Sequence, residues 1–171
     1  MYTDYTIMTA HRPLVREVNA VFDFIEKPYT PVNFKELLVS PNDMRKRLIA
    51  LINKEIKNKE QGKEAYILAK VNHITDRALI EKLYEASTAE SKVELDEYAA
   101  NCSLVTGIAG ISENIHINGI IDRYLEHSRI FIFANGGEEK YYIGSADWMP
   151  RNLDNRIVVL LRCTTKKYRQ T

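Results

Sequence analysis

The feature that most constrains the fold is a hydrophobic period that switches repeatedly along the chain. Short unbroken apolar runs alternate with stretches whose apolar residues recur at three and four positions. Tyr5 to Thr9 reads as a short strand broken by His11-Arg12-Pro13. Leu14, Val15, Val18, Val21, Phe22 and Ile25 then follow helical spacing, which predicts a helix from about Pro13 to Glu26 with proline in its first turn. Lys27-Pro28-Tyr29-Thr30-Pro31 is a loop, since two prolines there prevent regular pairing. Leu37-Leu38-Val39 is a buried strand. Ser40-Pro41-Asn42-Asp43 carries the signs of a helix start: a hydroxyl cap, proline at the first helical position and an acid three residues on. Met44, Leu48, Leu51, Ile52 and Ile56 make that helix's apolar stripe. Arg45, Arg47, Lys54, Lys57 and Lys59 lie mostly off it as a solvated face, and Gly62 closes it.

The pattern continues with a strand from Ala65 to Val71 and a helix from Asp76 to Ser87, with Leu79, Ile80, Leu83 and Tyr84 inward. Val93 to Tyr98 alternates as a strand, Ala99 to Asn114 is irregular, and Ile115-His116-Ile117 resumes. Ser128 to Ala134 and Lys140 to Gly144 are strands joined by an Asn135-Gly136-Gly137 turn, and Arg156 to Leu161 is the last strand. Buried strands alternating with amphipathic helices specify an α/β domain: a mixed sheet flanked by helices on its faces, in a single domain.

Composition narrows the function. Hydrophobic residues make up 45% of the chain, enough for one core without staples. The net charge of +1 supplies no bulk attraction to nucleic acid or acidic membrane, so anion binding must come from a local cluster. Cys102 and Cys163 stand far apart in no metal-like spacing and read as buried thiols of a reducing compartment. The N-terminus has no signal-peptide pattern and no apolar run approaches ~18 residues, so a cytoplasmic protein without a membrane span is expected.

The chemistry concentrates in Leu125-Glu126-His127-Ser128-Arg129-Ile130 and in Tyr142-Ile143-Gly144-Ser145-Ala146-Asp147-Trp148-Met149-Pro150-Arg151-Asn152. On a strand, His127 and Arg129 would project from one face, being two residues apart. Gly144-Ser145 would let backbone approach an anion closely. A histidine, arginines, a hydroxyl and an amide converging at strand ends suit a phosphoryl group, because guanidinium forks match phosphate oxygens. A neutral imidazole can attack phosphorus or accept a proton, and a protonated one can donate to a leaving oxygen. Asp147 is a candidate to orient the imidazole, although spacing does not say which carboxylate does so. The same spacing also suits a structural histidine hydrogen-bonded at a sheet end. Trp148 is expected to pack beneath the pocket.

These strings resemble the second histidine motif of bacterial-type polyphosphate kinases, with arginine where phospholipase-D-like proteins usually carry lysine. Tyr2-Thr3-Asp4, Leu37-Leu38-Val39-Ser40-Pro41, Ala69-Lys70-Val71-Asn72, Leu83-Tyr84-Glu85-Ala86-Ser87, Gly110-Ile111-Ser112-Glu113-Asn114-Ile115 and Asn135-Gly136-Gly137 resemble family segments in the family's order, from about residue 1 to about residue 160. The resemblance implies a phospholipase-D-like catalytic domain at 34–161. Before it lies a strand, helix and linker carried over from the preceding family domain at 1–33, and after it a divergent tail at 162–171. It implies reversible transfer of the ATP γ-phosphate to polyphosphate through a phosphohistidine held in the preceding domain, with magnesium. His127 and Arg129 are then the catalytic candidates. His127, Arg129, Ser145, Asp147, Arg151, Asn152, Lys70 and Asn72 are the candidates for binding phosphate or nucleotide, with no metal ligand assigned. The implied partners are polyphosphate, ATP or ADP, and either the missing N-terminal catalytic half or a second copy of the chain.

The chain departs from the family in three places. The first histidine motif has no counterpart, and His11, His73 and His116 stand in no histidine-x-basic context, as surface or strand-end residues. Ala99 and Ala100 replace an Arg-Gly pair, with Asp96-Glu97 before them, which weakens the expectation of ATP binding by a charge-assisted contact of about 1.5–3 kcal/mol. After Leu161 the family pattern is lost. The isolated chain is therefore expected to lack kinase activity. The alternatives are a single-motif phosphodiesterase or nuclease assembled as a homodimer, and a non-catalytic module that binds polyphosphate or another anion.

Overall fold

The structure, a computed structural model, describes residues 2–3, 5–120, 123 and 125–163, the side chains of 2–3 and 97–101 excepted. Within these residues the order is β1 (Tyr2–Thr3), α1 (Arg12–Glu26), β2 (Leu37–Ser40), α2 (Met44–Glu60), β3 (Tyr66–Ile74), α3 (Arg77–Thr88), β4 (Lys92–Cys102), β5 (Ile115–Gly119), β6 (Leu125–Glu126), β7 (Arg129–Phe133), a 3-10 turn (Asn135–Gly137), β8 (Lys140–Gly144), α4 (Pro150–Asp154) and β9 (Val158–Cys163). Seven strands form one mixed sheet in the order β2-β9-β8-β7-β3-β4-β5, and β1 pairs with β6 in a separate ladder. β3, β4 and β5 run parallel, while the other neighbours in the sheet are antiparallel. The parallel β3–β4 pair needs a crossover, and α3 provides it.

The two faces of the sheet differ. Ile67, Ala69 and Val71 of β3 and Phe131 and Phe133 of β7 point to the α2 and α3 side, where Leu48, Ile52, Leu79 and Leu83 complete the main core. On the other face α1 packs Leu14 and Val21 against Phe34, Leu37 and Val39 in a smaller cluster. The helix is where its spacing predicts, but its orientation is not. Leu14, Val21 and Phe24 are buried, whereas Val15, Val18, Phe22 and Ile25 are exposed, Phe22 by 63%. Tyr5 to Thr9 forms no strand and its side chains face solvent.

Two further expectations change. α2 starts at Met44, because Ser40 belongs to β2 and its hydroxyl donates to the Asn152 carbonyl instead of capping a helix. The basic face of α2 is partly structural. Arg45 donates to Asp76, the residue that caps α3, at 2.8 and 3.0 Å and pairs with Asp154, while Arg47 donates to the carbonyls of Phe34, Lys35 and Leu37. Cys102 and Cys163 are both half-buried. Among the described residues no helix is long and apolar enough to cross a membrane.

Candidate phosphoryl-binding site

The ends of β3, β7, β8 and β9 meet at one edge of the sheet, since antiparallel pairing sets the C-terminal ends of β3 and β8 beside the starts of β7 and β9. Open α/β sheets commonly bind ligands at such ends. An open cleft of about 460 Å³ lies there on the α1 side. His127, Ser128, Gly144 and Ser145 supply its polar rim, and Tyr5, Ile7 and Phe22 contribute to an apolar wall.

His127 and Ser145 therefore reach a common cleft as expected. They do so without the shared strand face: β7 begins at Arg129, and half-buried His127 lies in the link before it. Ser128, which sequence reasoning missed, also lines the cleft and lies 3.2 Å from the Lys70 ammonium, which is also paired with Glu126. Lys70 pairs with Ile130 on the face opposite Phe131, and from there its ammonium reaches Ser128 in the link before β7.

Arg129 and Asp147 are placed otherwise. Each is only 4% exposed. Arg129 Nε and Nη2 donate to the two carboxylate oxygens of Asp147, both at 2.8 Å, and Nη1 donates to the His127 carbonyl. Asp147 Oδ1 also accepts from the backbone N–H groups of Asn72 at 2.9 Å and His73 at 3.2 Å, and Oδ2 lies 3.2 Å from His73 Nδ1. Burial alone would raise the Asp147 carboxyl. The Arg129 and Asn72 hydrogen bonds and the neighbouring charges outweigh it and hold the group below the usual carboxylate range. Asp147 is thus bound to Arg129 and His73. His73, read from sequence as a surface or strand-end residue, lies at the end of β3, and its ring contacts the carboxylate.

The remaining candidates divide. Arg151 is exposed on α4. Asn152 is buried with its carbonyl bound to Ser40, and its side-chain oxygen has no partner. Asn72 is buried, and neither of its amide atoms has a partner. Neither asparagine lines the cleft. Gly144 is also required by packing: a Cβ there would sit 2.3 Å from the Val159 carbonyl oxygen on β9. Trp148 is fully buried and stacked on Phe131, with centroids 5.2 Å apart and planes at 6°. Its carbonyl accepts from the N–H groups of Thr75 and Asp76, both at 2.8 Å, which staples the β8–α4 loop to the end of β3.

Among the described residues no three His, Cys, Asp or Glu side chains gather as metal ligands. Asp147 is committed to Arg129 and Glu126 to Lys70. These residues do not form a site for the magnesium that the resemblance implies.

The mixed sheet and this edge cleft define a phospholipase-D-like fold. Nuc from Salmonella typhimurium, a phospholipase D family member, matches it with a TM-score of 0.53 at 14% identity, over 74% of this chain and 79% of that chain. A family model described as polyphosphate kinase C-terminal domain 2 matches residues 37–171, and the chain belongs to that family. The crystal structure of polyphosphate kinase from Porphyromonas gingivalis matches with a TM-score of 0.86 at 37% identity, covering 95% of this chain and 26% of that chain. The polyphosphate kinases of Vibrio vulnificus strain YJ016 and Escherichia coli K12 are 48% and 46% identical, over 94% and 93% of this chain and 23% of each of those proteins. The chain thus spans about a quarter of the length of the relatives it matches.

Proposed function

We propose that this domain supplies the leaving-group half of an ATP:polyphosphate phosphotransferase, with the phosphohistidine formed in the part of the enzyme that this chain does not span. The observation that carries the reading is the cleft itself. His127 opens into it beside two serine hydroxyls, with the Lys70 ammonium one contact behind, on the scaffold of a polyphosphate kinase C-terminal domain. In this reading Ser128 and Ser145 donate to phosphoryl oxygens. Lys70 offsets part of the anion's charge through Ser128, and exposed Arg151 adds long-range attraction. His127, when protonated, donates to the departing oxygen, and in the reverse direction the neutral ring takes that proton back. Polyphosphate and ATP or ADP are the substrates, and the cytoplasm is the compartment.

The half that completes the site has a natural seat. Val15, Val18, Phe22 and Ile25 form an exposed apolar stripe along α1, which precedes the matched family domain, and Phe22 and Ile25 also line the cleft. Residues 1–33 belong in this reading to the preceding domain, and the other three quarters of the enzyme cover that stripe. ATP is held weakly by this half: Ala99 and Ala100 offer no cation, and the exposed Asp96 carboxylate repels phosphate.

The test is reconstitution. The chain is mixed with Escherichia coli polyphosphate kinase lacking the matched region, and ATP-dependent polyphosphate synthesis is measured. Synthesis should appear only with both parts and vanish with His127→Ala. Hydrolysis of bis-(p-nitrophenyl) phosphate by a dimer of the chain alone, without synthesis in the mixture, would replace this reading with a phosphodiesterase.

A further inference from the structure

We infer that Arg129 is a positioning residue: paired with Asp147, it fixes the backbone of His127, and so the imidazole at the cleft, without touching the phosphoryl group. The inference deepens the proposed function and rests on its assignment of His127. It begins from the face on which the guanidinium lies. Arg129, Phe131 and Phe133 alternate as the buried residues of β7, and both phenylalanines belong to the core beneath α2 and α3. Ile130 and its partner Ile143 take the opposite face, and Ile143 lines the cleft. Arg129 is therefore on the far side of the sheet from the ligand space, and it is absent from the cleft lining.

Its hydrogen bonds say what it does there. All three guanidinium nitrogens donate to protein: two to Asp147 and one to the carbonyl of His127. Asp147 in turn receives the backbone N–H groups of Asn72 and His73, where the pairing of β3 with β4 shifts register. One ion pair thus ties together the link that carries His127, the loop after β8 and the end of β3. Placing the guanidinium on a phosphate would strip Asp147 of its partner and leave a carboxylate buried without compensation, a change that is strongly unfavourable. A lysine cannot replace the fork, because a single ammonium does not span both carboxylate oxygens and a backbone carbonyl at once.

The experiment uses Arg129→Lys, which keeps the charge, and Asp147→Asn, which keeps the shape, in the full chain. Two readings are taken on each: the His127 ring signals in long-range 1H–15N spectra, and the affinity for inorganic polyphosphate across a salt series. Each substitution should shift or broaden the His127 ring signals and weaken polyphosphate binding by about tenfold. The slope of affinity against salt should stay unchanged, and neither substitution should weaken binding further in a His127→Ala background. Three results would overturn the inference. One is unmoved ring signals in a folded variant. Another is a salt slope reduced by about one for a third variant, Arg129→Gln, which removes the charge; that is the mark of a lost phosphate contact. The third is an equal loss of affinity with and without His127. A chain that binds no polyphosphate counts against the proposed function, and the ring signals then still decide the positioning role. If Arg129→Lys does not fold, Asp147→Asn supplies both readings.

Discussion

Gly144 and Trp148 show how closely single positions are held at the site edge. A methyl group at Gly144 would meet the Val159 carbonyl oxygen at 2.3 Å and Leu160 Cδ2 at 2.8 Å, and β9 cannot retreat without breaking its ladder to β8. Gly144→Ala should cost about 1–3 kcal/mol, the range for overpacking, read from urea unfolding. Trp148→Ala should cost about 3–5 kcal/mol by the same measurement, since the indole is fully buried and stacked on Phe131. Two buried carboxylates should respond to pH in opposite ways. Burial, the largest influence, raises Glu55 against the hydrogen bonds it accepts, including that from the Asn135 N–H, and its Oε2 has no partner. A carboxyl raised on folding stabilises at low pH, and that contribution is lost as pH climbs from the unfolded value of about 4.3 through the folded one. Asp147 is lowered, so its contribution is complete above the unfolded value and lost as pH falls through the folded one. Glu55→Gln should therefore raise stability near neutrality but not at low pH, and Asp147→Asn should flatten the acid limb of the stability profile. Denaturant titrations across pH test both.

At the scale of elements, α1 shows what periodicity conveys. Its spacing announces a helix, and the helix forms over Arg12–Glu26. The same spacing suits two overlapping stripes, Leu14-Val21-Phe24 and Val15-Val18-Phe22-Ile25, and only β2 and the Val32–Phe34 segment decide which is buried. Leu14→Ala should cost about 2–5 kcal/mol, whereas Phe22→Ser should stay within about 0.5 kcal/mol in the isolated chain. Thermal unfolding of the two variants compares them directly. The start of α2, at Met44, escapes the local pattern for a related reason. Ser40-Pro41-Asn42-Asp43 has the chemistry of a cap, but the Ser40 hydroxyl finds a carbonyl distant in sequence, and a local pattern cannot show that competition.

For the whole molecule, the proposed function rests on the assembly of the cleft. His127 is half-buried at its rim and contributes to no core cluster. His127→Ala should change stability by about 0.5 kcal/mol or less while abolishing reconstituted synthesis, measured by unfolding and by polyphosphate formation. A stability loss of several kcal/mol would make the residue structural and remove the site.

The α/β class, most of the strands and helices, and the segment that supplies the cleft's polar rim were written in local patterns, because period, turn chemistry and motif spacing act over a few residues. So were His127 and Ser145 as neighbours in one cleft. What required the tertiary structure was the direction of each side chain beyond its own element. Arg129 faces the core, and Lys70 stands behind Ser128 at the cleft. Asp147 joins Arg129 and His73, and Gly144 is spent on the strand beside it. Those outcomes depend on pairing across segments far apart in sequence, where burial and partner geometry choose among residues of equal local propensity.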